Sequence, residues 1–177
     1  MEMRHALSTV MCGCLLAFSG NSLAGQVAKF DLPSGIHVQI VENAFRRDHF
    51  RLSGCGSTDS GCLINGRIPF GSYSDVPATY VESITVSYQG HSYSLDGSDM
   101  YDAWGKRPLE HKGVIRYFGG QCADAKNCGF RGLFSDGASS FVAEWRIANG
   151  VATRTVLTDS SDVVQLFMKQ IDPPDFD

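Results

Sequence analysis

The dipeptide Asn149-Gly150 constrains this chain more tightly than any other stretch, because both residues accept the left-handed backbone that a short β-hairpin loop demands. Two runs with period-two alternation flank it. In the first, Phe141, Ala143, Trp145 and Ile147 share one face, with Val142, Glu144, Arg146 and Ala148 on the other. In the second, Val151, Thr153, Thr155 and Leu157 lie opposite Ala152, Arg154 and Val156. This is the strand pattern. A two-residue loop pairs Ala148 with Val151 and Trp145 with Arg154. A three-residue loop of Ala148, Asn149 and Gly150 pairs Ile147 with Val151 and Phe141 with Leu157 instead. The second register is the expected one, because it joins the apolar faces and sets Glu144 opposite Arg154 on the wet side.

After Leu157 the period changes to that of a helix. Asp159, Ser160 or Ser161 can cap it, and Val163, Val164, Leu166, Phe167 and Ile171 form its apolar stripe. Pro173-Pro174 stops it. Such a helix is expected to cover one end or one face of a sheet.

Residues 1–24 read as a signal peptide. Arg4 supplies the basic start, Ala6 to Phe18 the apolar stretch, and Ser22-Leu23-Ala24 the small-residue cleavage signal. The alternative is a buried N-terminal helix. Cys12 and Cys14 lie in poor contexts for lipid attachment. Residues 25–177 then form one mainly β domain, periplasmic or secreted, with no further stretch apolar enough to span a bilayer. The leader removes one acid and one base, so the net charge stays at −4. An acidic domain is a poor partner for nucleic acid.

The remaining cysteines are Cys55, Cys62, Cys122 and Cys128, an even number that reads as disulfides in an oxidising compartment. Three pairings are possible. Cys55 with Cys62 and Cys122 with Cys128 is favoured, because each pair brackets a short turn-rich segment. Neither spacing is C-x-x-C and no histidine lies at a ligand interval, which argues against zinc.

The rest of the chain reads as short strands and turns. Val27 to Leu32, Ile36 to Val41 and Phe45 to Leu52 are expected strands, the last carrying Arg46, Arg47, His49 and Arg51, a basic group suited to an acidic partner or to a solvated face. Tyr80 to Gln89 and His91 to Leu95 form a second hairpin about Gln89-Gly90. Ser98 is expected to cap one helical turn running through Trp104 and ended by Gly105. Val114 to Phe118 and Gly129 to Phe134 bracket the second cysteine loop, placing it at a hairpin tip. The fold class is therefore an antiparallel β-sandwich or open barrel with one C-terminal α-helix.

Motifs for nucleophiles, metals, phosphates and dinucleotides are missing from the sequence, and no cofactor or metal is implied. His111 beside Glu110, Asp99 and Asp102 offers a possible general base. Asp96, Asp99 and Asp102 offer oxygens for calcium, but equally suit turns. The better candidates are residues for binding a protein: Tyr101, Trp104, Lys106, Arg107 and His111 in one aromatic and charged segment, with Asp124 and Lys126 in the second cysteine loop. Rigid loops on a β frame lose little entropy on binding. The expectation is a non-catalytic exported protein that binds and inhibits another protein, such as an immunity protein directed at an envelope-acting toxin or hydrolase. A small hydrolase and a surface adhesion or glycan-binding module are the alternatives.

Overall fold

The computed structural model describes residues 25–56, 61–106, 117–134 and 139–171. Among them, two four-stranded antiparallel sheets stack as a sandwich rather than closing into a barrel. The first sheet has the order β1-β2-β5-β6, built from β1 (Gln26–Asp31), β2 (His37–Ala44), β5 (Thr79–Tyr88) and β6 (His91–Leu95). The second has the order β11-β10-β9-β8, from β8 (Phe118–Asp124), β9 (Asn127–Phe134), β10 (Phe141–Ala148) and β11 (Val151–Thr158). A small pair, β3 (Leu52–Ser53) and β4 (Leu63–Ile64), stands apart, and β7 (Ala103–Lys106) lies against β5.

Alternation explains the core. Val38, Ile40, Ile84, Val86 and Leu95 of the first sheet meet Phe130, Phe134, Phe141, Ala143, Trp145 and Ile147 of the second. Val81 and Ile84 are three apart yet both point inward, because a bulge between β2 and β5 shifts the register at that point. In β9, Gly132 makes room for an aromatic ring, since a Cβ there would lie 2.5 Å from Phe118.

The Asn149-Gly150 hairpin forms, but not in the expected register. Both residues have positive φ, 52° and 82°, so the loop has two residues and pairs Ala148 with Val151 and Trp145 with Arg154. A bulge at Thr155 then shifts the pairing to Glu144 with Val156 and Ala143 with Leu157. The expected match of Glu144 with Arg154 assumed a wet arginine. Arg154 is instead largely buried, its side chain 15% exposed, and it reaches across to the loop after β6.

The helix α1 (Ser161–Ile171) covers the outer face of the second sheet. Val142 and Leu133, cross-strand partners on that face, are buried beneath Val164 and Phe167. Leu166 does not join the stripe and is 51% exposed. At 100° per residue it lies well to one side of the arc shared by Val163, Val164 and Phe167. The side chain of Ile171 lies outside the described residues.

Two other expectations fail. Phe45 to Leu52 is not a strand: Arg47–His49 form a 3-10 turn. Phe45 and Phe50 are five apart, so a strand would send them to opposite faces. The turn stacks their rings at 4.3 Å and packs both against Tyr101. Nor do residues 98–104 form a helical turn. Asp96 takes the Ser98 N–H in a local turn, and Asp99 and Asp102 have positive φ of 64° and 40°, which a right-handed helix excludes. Met100 and Tyr101 instead bridge to Phe70 and Tyr80. Gly71 is required there, because a Cβ at its φ of 94° would lie 1.9 Å from the Tyr101 carbonyl oxygen.

Candidate functional site

The cysteines are joined in the favoured local pairing, Cys55 to Cys62 and Cys122 to Cys128. They occupy opposite ends of the sandwich. Cys122 and Cys128 are cross-strand partners near the tip of the β8-β9 hairpin. That tip lies beside the Asn149-Gly150 loop: the Gly150 N–H donates to the Lys126 carbonyl at 2.9 Å, and the Asn149 N–H to Asn127 Oδ1 at 3.1 Å. From the first sheet, the Tyr93 hydroxyl donates to the Ala125 carbonyl at 2.8 Å. Cys62 instead packs with Ile64, Tyr101, Phe45 and Phe50, beyond the end where Ala44 pairs with Thr79.

Asp124 and Lys126 are exposed at the hairpin tip. The Asp124 carboxylate accepts bonds from the Asn127 side chain and the Lys126 N–H, and these hold its pKa below the usual carboxylate value. The tip therefore presents a negative charge held by hydrogen bonds next to an exposed lysine on a covalently closed frame.

Of the other expected binding residues, Tyr101 and Trp104 fall at the far end of the sandwich. Tyr101 is buried at 5% exposure within the aromatic cluster, and burial, with the nearby Asp99 charge, pushes its hydroxyl up to about 12. Trp104 is half-buried, 6.0 Å from Phe134, and its indole N–H is enclosed without a hydrogen-bond partner among the described residues. The side chain of Lys106, and Arg107, Glu110 and His111 entirely, lie outside the described residues.

The aspartates expected as turn residues or calcium ligands each hold protein groups. Arg154 donates to the Ser98 carbonyl at 2.5 Å and lies 3.3 Å from the Asp96 carboxylate. Burial pushes Asp96 up, but bonds from Ser98 and the charges of Arg154 and Arg67 outweigh this and leave its pKa lowered. Asp99 accepts from Arg67 at 2.8 Å. Asp102 accepts from the Ala78 and Thr79 N–H groups at 2.8 and 2.9 Å.

Beside Asp102 lies a group that alternation alone would place in the core. Glu42 continues the inward phase of Val38 and Ile40 and is 3% exposed. It accepts hydrogen bonds from the Thr79 hydroxyl and from the Ala103 N–H, the latter at 3.2 Å. Burial pushes its pKa up, and the Asp102 charge adds to this, against the lowering effect of those two bonds.

Sequence reading missed the exposed apolar side chains near the first disulfide. Ile68 and Tyr73 are 64% and 77% exposed, and the Tyr73 carbonyl accepts from the Cys62 N–H. Their segment is broken by Gly66, Pro69 and Gly71, so no period signalled which side chains face out. Comparison with known protein families, characterised proteins and solved structures returns no match.

Proposed function

We propose that this is an exported protein that binds and inhibits another protein, of the immunity type that neutralises an envelope-acting toxin or hydrolase. The observation that carries the reading is the Cys122–Cys128 hairpin tip. It is closed covalently and tied to β6 and to the Asn149-Gly150 loop, yet it leaves Asp124 and Lys126 exposed. Ordering such a tip on binding costs little, so its polar contacts add to affinity rather than being spent on immobilising the loop. Paired cysteines, and the lack of any helix among the described residues long and apolar enough to cross a membrane, are compatible with export. The segment containing Trp104, Lys106, Arg107 and His111 is the second contact region of this reading, and of it Trp104 stands at the other end of the sandwich.

The test is capture of partners from an envelope and secreted fraction with the oxidised, tagged protein, followed by activity assays on the enzyme retained. A one-to-one complex that silences the retained enzyme, and weakens at least tenfold in the Asp124→Ala, Lys126→Ala double variant, supports the reading. A retained enzyme that stays fully active, or no stoichiometric partner at all, overturns it.

A further inference from the structure

The basic group at residues 46–51 plays no part in the hairpin tip, and it lies at the opposite end of the sandwich. Phe45 and Phe50 stack at the base of the 3-10 turn, so Arg46, Arg47 and His49 stand exposed around it. Phe50 is extended, with φ −132° and ψ 145°, and packs inward on Tyr80 and Tyr101. Arg51 therefore leaves the chain on the other side and is exposed.

Hydrogen bonds join this turn to a second segment. The Arg51 N–H donates to Asn65 Oδ1 at 3.0 Å, and the Asn65 N–H to the Arg51 carbonyl at 2.7 Å. Asn65 and Gly66, with positive φ of 54° and 80°, form a two-residue turn closed by paired bonds between Ile64 and Arg67. The exposed Ile68 follows directly. The exposed Tyr73 is held by its carbonyl to the Cys62 N–H, and Cys62 and Ile64 pack with Phe45 and Phe50 in one small cluster. The basic turn and the segment bearing Ile68 and Tyr73 thus stand on the same support, braced by Cys55–Cys62.

The charges here are unevenly matched. Asp48 is shared by Arg46 at 3.3 Å and His49 at 3.8 Å, and Asp99 takes Arg67 at 2.8 Å. Among the described residues, no ion pair or side-chain hydrogen bond engages the guanidinium of Arg47 or Arg51. The exposed Asp75 opposes them in part. The whole chain carries −4, but charges farther than about 8 Å are largely screened at physiological ionic strength, so contacts at this end follow its own arginines.

We propose that this end of the sandwich docks on an anionic phospholipid surface, Arg47 and Arg51 binding headgroup phosphates while Ile68 and Tyr73 enter the headgroup boundary. A guanidinium matches phosphate in a bidentate fork, and a tyrosine at that depth keeps its ring in the apolar boundary and its hydroxyl in water. An acidic protein would also meet the arginines, but it would need a matched pocket for each protruding apolar side chain. A fluid lipid surface needs none. Two apolar side chains and a few cations fall short of permanent anchoring, so the contact is shallow, reversible and salt-sensitive. It leaves the Cys122–Cys128 tip free and is independent of the inhibitor reading.

The test is sedimentation of the full oxidised protein with vesicles of phosphatidylcholine, alone or mixed with phosphatidylglycerol, at low and physiological salt. The expected result is binding to the mixed vesicles only, weakened by salt and reduced about tenfold in an Arg47→Ala, Arg51→Ala variant. An Ile68→Ser, Tyr73→Ser variant is also expected to bind less, and both keep the wild-type thermal midpoint because all four side chains are exposed. Arg146→Ala, which removes an exposed cation of the second sheet, binds as wild type. Equal binding to both kinds of vesicle, binding to neither, or full binding by the arginine variant overturns the proposal. Full binding by Ile68→Ser, Tyr73→Ser also overturns it, in favour of a soluble acidic partner that meets the arginines alone.

Discussion

The Tyr93 hydroxyl donates to the Ala125 carbonyl at 2.8 Å, tying the edge of the first sheet to the hairpin tip of the second. Tyr93→Phe keeps the ring and removes only this bond. The expected cost is about 0.5–1.5 kcal/mol, the net worth of one such bond. The more telling readout is hydrogen exchange, which should quicken at residues 124–127 and leave the central strands β2 and β10 unchanged.

Removing the Cys122–Cys128 crosslink frees a short loop. A Cys122→Ala, Cys128→Ala variant is expected to lose about 2 kcal/mol on the chain-entropy argument, read as a lower urea midpoint with little change in slope. An unchanged midpoint would show that the neighbouring hydrogen bonds alone hold the tip.

Arg154 joins β11 to the Asp96–Asp99 loop through the Ser98 carbonyl and the Asp96 carboxylate. Arg154→Ala leaves these acceptors facing a half-buried gap, and the expected loss is about 1.5–3 kcal/mol. Arg154→Lys should recover only part of it, because an ammonium cannot reproduce the planar fork that reaches both groups. Full recovery by lysine would reduce the contact to charge alone.

Glu42 gives the fold a pH dependence whose sign follows from its buried position. Its pKa is raised in the folded chain above the ordinary 4.5, so the folded state holds a proton that the unfolded state releases. Its contribution is therefore present in full below pH 4.5 and declines as pH rises through the raised value. Glu42→Gln keeps an acceptor for Thr79 and Ala103 without the charge. The variant should melt above the wild type at pH 7, and the gap should close toward pH 4. A gap that is constant across this range would remove Glu42 as its source. Asp96 works in the opposite direction: its lowered pKa adds stability above the ordinary carboxylate value, lost as pH falls through the lowered one.

Much of the frame was legible from residue order. Period-two runs marked β1, β2, β5, β6, β10 and β11, because each strand buries one side and wets the other. Gln89-Gly90 and Asn149-Gly150 marked two hairpin loops, since few residues accept positive φ in succession. The short spacing of the cysteines favoured the pairing that forms, and Val164 with Phe167 announced the helix face. The candidate site was legible only where it is local: Asp124 and Lys126 between two cysteines mark a tip, whereas the separation of that tip from Tyr101 and Trp104 is a matter of which sheet end each reaches.

What the chain determined by itself are interactions between residues a few positions apart: alternation, turns, short crosslinks and the helix stripe. Only the tertiary structure decided the rest, because it brings together groups with no fixed spacing. Arg154 reaches from its hairpin to a loop more than fifty residues earlier. Phe45 and Phe50 give up a strand to stack on each other, edge-on to Tyr101. Glu42 meets Thr79 and Ala103 inside the core. Each of these depends on burial and cross-strand register, which emerge only when the sheets pair and stack.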